Sequence, residues 1–350
     1  MLGNPQVLCK TLKDKTEKIT IMKAILMTKT GGPEVLELRQ VDQPVISHPR
    51  QVLVRIMAAG VNPVDTKIRT SAVETLPAIL GCDGAGTVAE IGSEVESLHP
   101  GDAVYFFHAG LGTLPGNYAE YTVIDERSVI AKPETIDFIH AAAAPLVLLT
   151  AWESLHDRAC IKSGQTVLIH AGAGGVGHVA IQLAKQAGAK VFATVGSAEK
   201  AEFVRSLGAE EAINYKDVDF VEAVMALTDG IGVDIVMDNV GGPLFQASFP
   251  AVRYYGDLVT LLQPDNQVDW TEARLRNLRI SLEIMLTPFR FGLQDALLHQ
   301  KQILENCAKL IDTGKLKIHV SKVLPLEHAV EAHRIIETGS TTGKIELAVD

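Results

Sequence analysis

The stretch Ile169–Gly177, IHAGAGGVG, decides how the middle of this 350-residue chain is read. Gly172, Gly174 and Gly177 stand in the spacing G-x-G-x-x-G, with Gly175 and Val176 inside it. Glycine-rich turns are common, so the flanks carry the argument. Before it, TVLIHAG is an apolar run of strand length. After it, Val176, Val179, Ala180, Leu183, Ala184 and Ala187 recur at helical spacing, and Gly188 is a natural stop. A buried strand that closes in this pattern and opens a helix is the setting in which it holds a dinucleotide. The first glycine allows a tight turn, the second lets backbone approach a pyrophosphate, and the third permits close helix–strand packing. The helix start then offers unpaired N–H groups and a partial positive charge to phosphate. No G-K-[ST] follows, which excludes a Walker loop.

Working outward, KVFATV is a second strand, and EAINY, VDIVMDNVGG and DLVTLL continue the series. Strands separated by helix-length segments imply a parallel sheet covered on both faces. At the end of the second strand a site for NAD places an acid on the ribose 2′-hydroxyl. Here stand Val195, Gly196 and Ser197, with no acid until Glu199, and Lys200 follows. An acid would repel a 2′-phosphate, whereas Ser197, Lys200 and a small glycine accommodate one. The expected cofactor is therefore NADP(H). Ser197 also reads as a helix cap, and Lys200 also reads as a solvated charge.

The flanks have other textures. From Met22 to about Pro145 short β-like runs (KAILMT, QVLVRIMAAG, GTVAEIG, GDAVYF, YAEYTVI) alternate with Gly, Pro and Asp, which suggests a mostly antiparallel, barrel-like domain. From about Pro288 a helical stretch, Leu293–Thr313, precedes a final strand, GKIELAV, and this tail is expected to fold back on the first domain. Hydrophobic residues make up 47% and charged residues 21%, a globular balance, and the net charge of −10 argues against nucleic acid and anionic membranes as partners. None of Cys9, Cys82, Cys160 and Cys307 stands in a C-x-x-C spacing, so a reducing, cytoplasmic setting is expected. The apolar run AAAAPLVLLTA is too short to span a membrane. Residues 1–21 are read as a flexible leader, with Met22 as an alternative start.

MKAILMTKTGGPEVLEL, VLVRIMAAGVNPVDTKIR, GCDGAGTVAEIGSEVESLHPGDAVY, GNYAEYTVI, PLVLLTAWESL, HAGAGGVGHVAIQLAKQAGA and GKIEL carry a resemblance to the medium-chain dehydrogenase/reductase superfamily. Within it the chain most resembles the zinc-independent quinone oxidoreductase branch, which includes the zeta-crystallins. The resemblance implies an α/β architecture: a doubly wound Rossmann domain (146–286) inserted into a GroES-like, mostly β catalytic domain (22–145 and 287–350), with the active site between them. It also implies a homodimer formed through the Rossmann sheet edge. The positions of the family's catalytic zinc ligands hold Asn62, Cys82 and Leu146, and FHAGLGTLPGN lacks the cysteines of its structural zinc lobe. No metal is therefore expected. The expected activity is NADPH-dependent reduction of quinones or α,β-unsaturated carbonyl compounds. The alternatives are an enoyl-thioester or carbonyl reductase, or a non-catalytic NADPH-binding protein.

Candidate site residues follow. Asn62 either donates to a substrate carbonyl or cofactor, or is a turn-forming Asn before Pro63. Lys67 stands where relatives carry a tyrosine, and is either a donor to the substrate or an exposed helix lysine. Thr150 matches a position near the nicotinamide, or caps a helix. Tyr215 matches a 2′-phosphate contact in relatives that use NADP. Asn239 and Val240 are expected near the ribose, Leu261 and Leu262 end the next strand, and Lys344 is expected to reach the cofactor's phosphate. Tyr121 and Cys82 are candidate proton donors. His108 reads as a lone loop histidine, and His328 and His333 as helical residues without a partner acid at metal spacing.

Overall fold

The computed structural model describes residues 20–350 apart from 72, 74 and 109. The expected leader lies outside the described residues as far as 19, and Ile21 already opens the first strand. Two sheets organise the molecule. One has six strands, all parallel, in the spatial order Glu211–Asn214, Lys190–Val195, Thr166–Ile169, Val233–Asp238, Val252–Thr260, Arg279–Leu282. The strand that ends in the glycine pattern is therefore central, and the order reverses beside it. That reversal is where doubly wound sheets bind their ligands. The strands Thr166–Ile169, Lys190–Val195 and Val233–Asp238 are buried on both faces, as their near-continuous apolar runs require. The last strand, Arg279–Leu282, carries no alternation strong enough to single it out in the sequence.

The other large sheet has seven strands. The 11-residue strand Gln51–Val61 pairs antiparallel with Asp83–Ile91, Tyr121–Asp125 and Lys344–Ala348. The C-terminal tail thus folds back into the first domain. Its register sets Ile345 opposite Val61 and Glu346 opposite Gly60, which carries Lys344 alongside Asn62. Gly60 permits this crowding, because a Cβ there would lie 2.8 Å from the Ala142 carbonyl and 2.9 Å from Asp83 Cβ. A three-stranded antiparallel sheet, Leu36–Asp42, Ile21–Met27 and Ala78–Ile79, packs nearby.

The helix Pro145–Trp152 crosses from one sheet to the other, and Val147, Leu148 and Leu149 are buried in a core shared with Val179, Ala180 and Leu183 of the helix Gly175–Gln186. The predicted tail helix spans Gln294–Asp312 and adds Ile303, Leu304, Cys307 and Ile311 to the same core. Among the described residues no helix is long and apolar enough to cross a membrane.

Candidate active site

The glycine pattern forms the turn between Thr166–Ile169 and Gly175–Gln186, as its spacing requires. Its roles are divided differently from the sequence expectation. The left-handed residue of the turn is Ala171, with φ of 51°, not Gly172. Gly172 is needed for packing: a Cβ there would lie 2.7 Å from Ala193 Cβ on the neighbouring strand. At Gly177 a Cβ would come within 2.3 Å of the Ala171 carbonyl, so helix and turn touch through bare backbone. Gly174 extends into the helix start, where the amides of Gly175, Val176 and Gly177 have no carbonyl one turn back. They form a ready anion site. His178, which the sequence did not single out, secures this turn. It is buried, and its Nδ1 lies 3.1 Å from the Gly174 carbonyl, while Nε2 accepts the His319 N–H at 3.2 Å. Burial lowers its pKa to about 4, which keeps the ring neutral and leaves one nitrogen to donate and one to accept.

The second strand, Lys190–Val195, ends at Gly196 and the helix cap Ser197. Ser197 Oγ accepts from the Lys200 amide at 3.3 Å, so it does cap the helix Ala198–Ser206. Tyr215 lies over Gly196, where a Cβ would be 2.6 Å from its hydroxyl, and its ring is largely exposed. Lys200 Nζ reaches across to the Ser340 carbonyl at 2.8 Å. Ser197 and Tyr215 thus adjoin Gly196, while the Lys200 ammonium is engaged on Ser340, and the nearest acid in the chain, Glu199, lies within the first turn of the helix.

Between the two sheets lies a cleft of about 700 Å³. Asn62, Lys67, Thr150, Gly174, Gly175, Val176, Gly177, Asn239, Val240, Leu261 and Lys344 all line it, so the structure brings these sequence-predicted residues into one cavity. Lys67 is exposed at its edge. Thr150 is inside its helix rather than at a cap, and its hydroxyl donates to the Leu146 carbonyl at 2.7 Å. Asn239 Nδ2 donates to the His170 carbonyl at 2.8 Å, which leaves its Oδ1 buried with no partner. An orphan acceptor at a cleft wall fits a ligand hydroxyl.

Asn62 sits at the start of the helix Pro63–Thr70, whose Asp65 carboxylate accepts the Asn62 N–H at 2.8 Å. Its side chain turns away from the helix. Nδ2 donates to Asp83 at 2.9 Å, and Oδ1 accepts from Lys344 Nζ at 2.5 Å. The ammonium also donates to the Val61 carbonyl at 3.1 Å and lies 3.8 Å from Asp83. An ammonium only donates and a carboxylate only accepts, so the two neighbours fix which way the amide points. Lys344 therefore does not extend to a phosphate as expected; register holds its buried ammonium against Asn62.

Around this pair lie Asp65, Asp83 and Glu346, all fully buried. Burial raises all three carboxyls: Asp65 to about 7, Asp83 to about 6 against the opposing pull of Lys344, and Glu346 well above the usual range. Both Glu346 carboxyl oxygens lack a hydrogen-bond partner. The network continues away from the cleft through Tyr118, whose hydroxyl donates to Asp65 at 3.0 Å and lies 3.3 Å from His333. His333 contacts Arg69 at 3.0 Å, and Arg69 pairs with Glu337.

The two candidate proton donors are displaced from the cleft. Cys82 is buried behind Asp65, 3.6 Å from its carboxylate, and burial raises its thiol pKa well above the usual range. Tyr121 lies in a separate groove of about 680 Å³ together with His108, whose ring packs edge-on against Phe289. His328 is exposed and pairs with Glu331 at 3.4 Å. The zinc-ligand positions fit no metal: Asn62 is bound to Lys344, Cys82 faces Asp65, and Leu146 has no donor side chain. Among the described residues no group of three His, Cys, Asp or Glu is placed to hold a metal ion.

The family profile for the alcohol dehydrogenase GroES-like domain matches residues 48–134, and the profile described as zinc-binding dehydrogenase matches 207–347. A quinone oxidoreductase of Pseudomonas aeruginosa is 35% identical over 327 residues, which is 93% of this chain and 99% of that protein. An alcohol dehydrogenase superfamily protein from Novosphingobium aromaticivorans superposes with a TM-score of 0.87 at 37% identity, covering 94% of this chain and 100% of the other. The quinone oxidoreductase of Escherichia coli, solved in complex with NADPH, superposes with a TM-score of 0.83 at 31% identity over 93% of this chain and 99% of its own. The chain belongs to the medium-chain dehydrogenase/reductase superfamily, is an oxidoreductase by family, and has quinone oxidoreductases among its relatives.

Proposed function

We propose that this chain is an NADPH-dependent reductase of quinones or α,β-unsaturated carbonyl compounds, working without zinc. The observation that carries the reading is the Asn62 amide, fixed by Asp83 and Lys344, in the same cleft as the glycine turn. NADPH, when bound, supplies the hydride. The amides of Gly175, Val176 and Gly177 take its diphosphate, Ser197, Lys200 and Tyr215 take the 2′-phosphate, and Asn239 Oδ1 accepts from a ribose hydroxyl. Hydride addition to an enone or quinone builds negative charge on the acceptor's oxygen. An amide whose direction is fixed in advance stabilises that charge at little cost in reorganisation. One of its two N–H bonds is used on Asp83, and the other would donate to the acceptor's oxygen. Leu146, Val147, Leu261 and Met285 supply the apolar walls that keep water out.

The test is steady-state NADPH oxidation with 1,4-benzoquinone, a simple enone and an enoyl-CoA, each with and without a chelator. The reading expects turnover of the first two, unaffected by chelator. Tight NADPH binding without turnover on any of the three, or activity that chelator removes, contradicts it.

A further inference from the structure

Reduction of an enone or a quinone needs a proton as well as a hydride, and the residues expected to give it, Cys82 and Tyr121, lie outside the cleft. Among the described residues, the titratable side chains that line the cleft are Lys67, Glu283, Arg290 and Lys344. Lys67 is exposed at its edge. Arg290 is exposed too, and a guanidinium keeps its protons. The Glu283 carboxylate accepts from Arg158 at 2.7 Å, as a group without its proton does. Lys344 alone is a buried proton carrier, and its place is set from two sides. A Cβ at Gly175 would lie 3.4 Å from Lys344 Cδ, so the aliphatic stem passes the glycine turn. The tip of the side chain ends at Asn62. There Nζ donates to the Val61 carbonyl at 3.1 Å and to Asn62 Oδ1 at 2.5 Å, which uses two of the three N–H bonds of an ammonium. Asp83 at 3.8 Å and Glu346 at 4.0 Å stand beyond hydrogen-bonding distance. Among the described residues, the third N–H therefore has no acceptor.

We propose that Lys344 is a catalytic residue: its unspent N–H gives the proton to the acceptor's oxygen, beside the Asn62 amide that stabilises the charge there. The proposal rests on the function proposed above. In an enone the hydride's electron pair forms a C–H bond at the β-carbon, and the conjugated π electrons move onto oxygen. One Lys344 N–H bond breaks and an O–H bond forms, so the acceptor leaves as a neutral enol, which becomes the saturated ketone in water. With a quinone, the hydride and the proton together give the hydroquinone. The neutral amine regains its proton from water when the product leaves the cleft. Lys344 thus both aims the amide and supplies the proton. Lys344→Arg separates the two tasks, because an arginine keeps a cationic donor for Asn62 Oδ1 and does not release a proton.

The experiment compares kcat of the natural chain and of Lys344→Arg on two acceptors that differ in how much they need a proton. One is a simple enone, whose enolate is strongly basic. The other is a tetrachlorinated benzoquinone, whose reduced oxygen is a weak base. Help from a general acid grows with the basicity of the oxygen formed, whereas a misplaced amide slows both reactions alike. In Lys344→Arg kcat is expected to fall about a hundredfold or more on the enone and less than about tenfold on the chlorinated quinone. The natural chain's enone reaction is expected to slow in heavy water more than its quinone reaction, a comparison that stands even if the variant does not fold. Equal losses on the two acceptors, no loss on the enone, or equal solvent isotope effects overturn the proposal. If the natural chain binds NADPH and turns over neither acceptor, the function proposed above fails and Lys344 loses its role with it.

Discussion

Lys344 and Asn62 lie 282 residues apart in sequence, yet the ammonium of one is 2.5 Å from the amide oxygen of the other. The contact follows from strand register. The last strand pairs antiparallel with Gln51–Val61, and Ile345 opposite Val61 brings the preceding lysine to the start of the next helix. The amide is thereby aimed before any ligand arrives. Asn62→Ala is expected to lower kcat about a hundredfold, the usual loss for one positioned donor, while the Kd of NADPH changes little. Lys344→Met is expected to lower kcat as well, by releasing the amide. Unchanged kcat in both variants removes Asn62 from the mechanism.

The segment Gly196–Lys200 makes a second prediction. Lys200→Ala is expected to weaken NADPH about tenfold, the effect of removing about 1.4 kcal/mol, and to leave NADH nearly unaffected. Titration of both nucleotides checks it. Equal losses assign Lys200 to something other than the 2′-phosphate.

The glycines separate by their neighbours. Gly177→Ala places a methyl 2.3 Å from the Ala171 carbonyl and 2.8 Å from Gly172 Cα, all backbone. It is expected to cost about 1–3 kcal/mol of stability, as overpacking does. At Gly174 the single close atom is the Ala171 carbonyl at 3.2 Å. Gly174→Ala is therefore expected to leave Tm almost unchanged and to weaken NADPH, because the methyl stands where the phosphates approach. Thermal melts with and without NADPH distinguish the two.

The buried acids set the pH response. Asp65 has a folded-state pKa near 7 against an ordinary value of 3.8, chiefly through burial. Between those values the folded chain binds more protons than the unfolded one, so stability falls as pH rises through this window. Asp83, at about 6, acts in the same direction. Asp65→Asn is expected to flatten the decline, so that its Tm gains on the natural chain by several degrees from pH 4.5 to 7.5. A constant difference between the two melts contradicts the assignment.

Oligomeric state is a further proposal. Among the described residues strand Arg279–Leu282 pairs only with Val252–Thr260, and no described strand lies along its outer edge. Leu282 and Ile284 are exposed beside it. Such an edge invites a strand from a second copy. Light scattering is expected to show twice the 37.7 kDa of one chain. A monomer at micromolar concentration contradicts it.

The parallel sheet was legible in the sequence because its central strands, Thr166–Ile169, Lys190–Val195 and Val233–Asp238, are compact apolar runs followed within a few residues by Gly or Asn. The glycine spacing and the helix after it were legible for the same reason: their signals are local. Arg279–Leu282 was not, because its four residues alternate too briefly to mark a strand. The role of Lys344 was not, since antiparallel register across the length of the chain decides where its ammonium goes. Tyr121 and Cys82 were placed in the cleft by residue type alone; Tyr121 faces another groove, and Cys82 is sealed behind Asp65. His178 and Glu283 carried no local pattern. Each acquires its partner from a distant segment: His319 and Arg158 respectively.

The most direct test of the account is the ratio of kcat/KM for NADPH to that for NADH with 1,4-benzoquinone as acceptor. A preference for NADPH of about tenfold or more, lost in Lys200→Ala while quinone turnover persists with either nucleotide, is the predicted result. Equal use of the two nucleotides by the natural chain, or no quinone-dependent turnover with either, would contradict it.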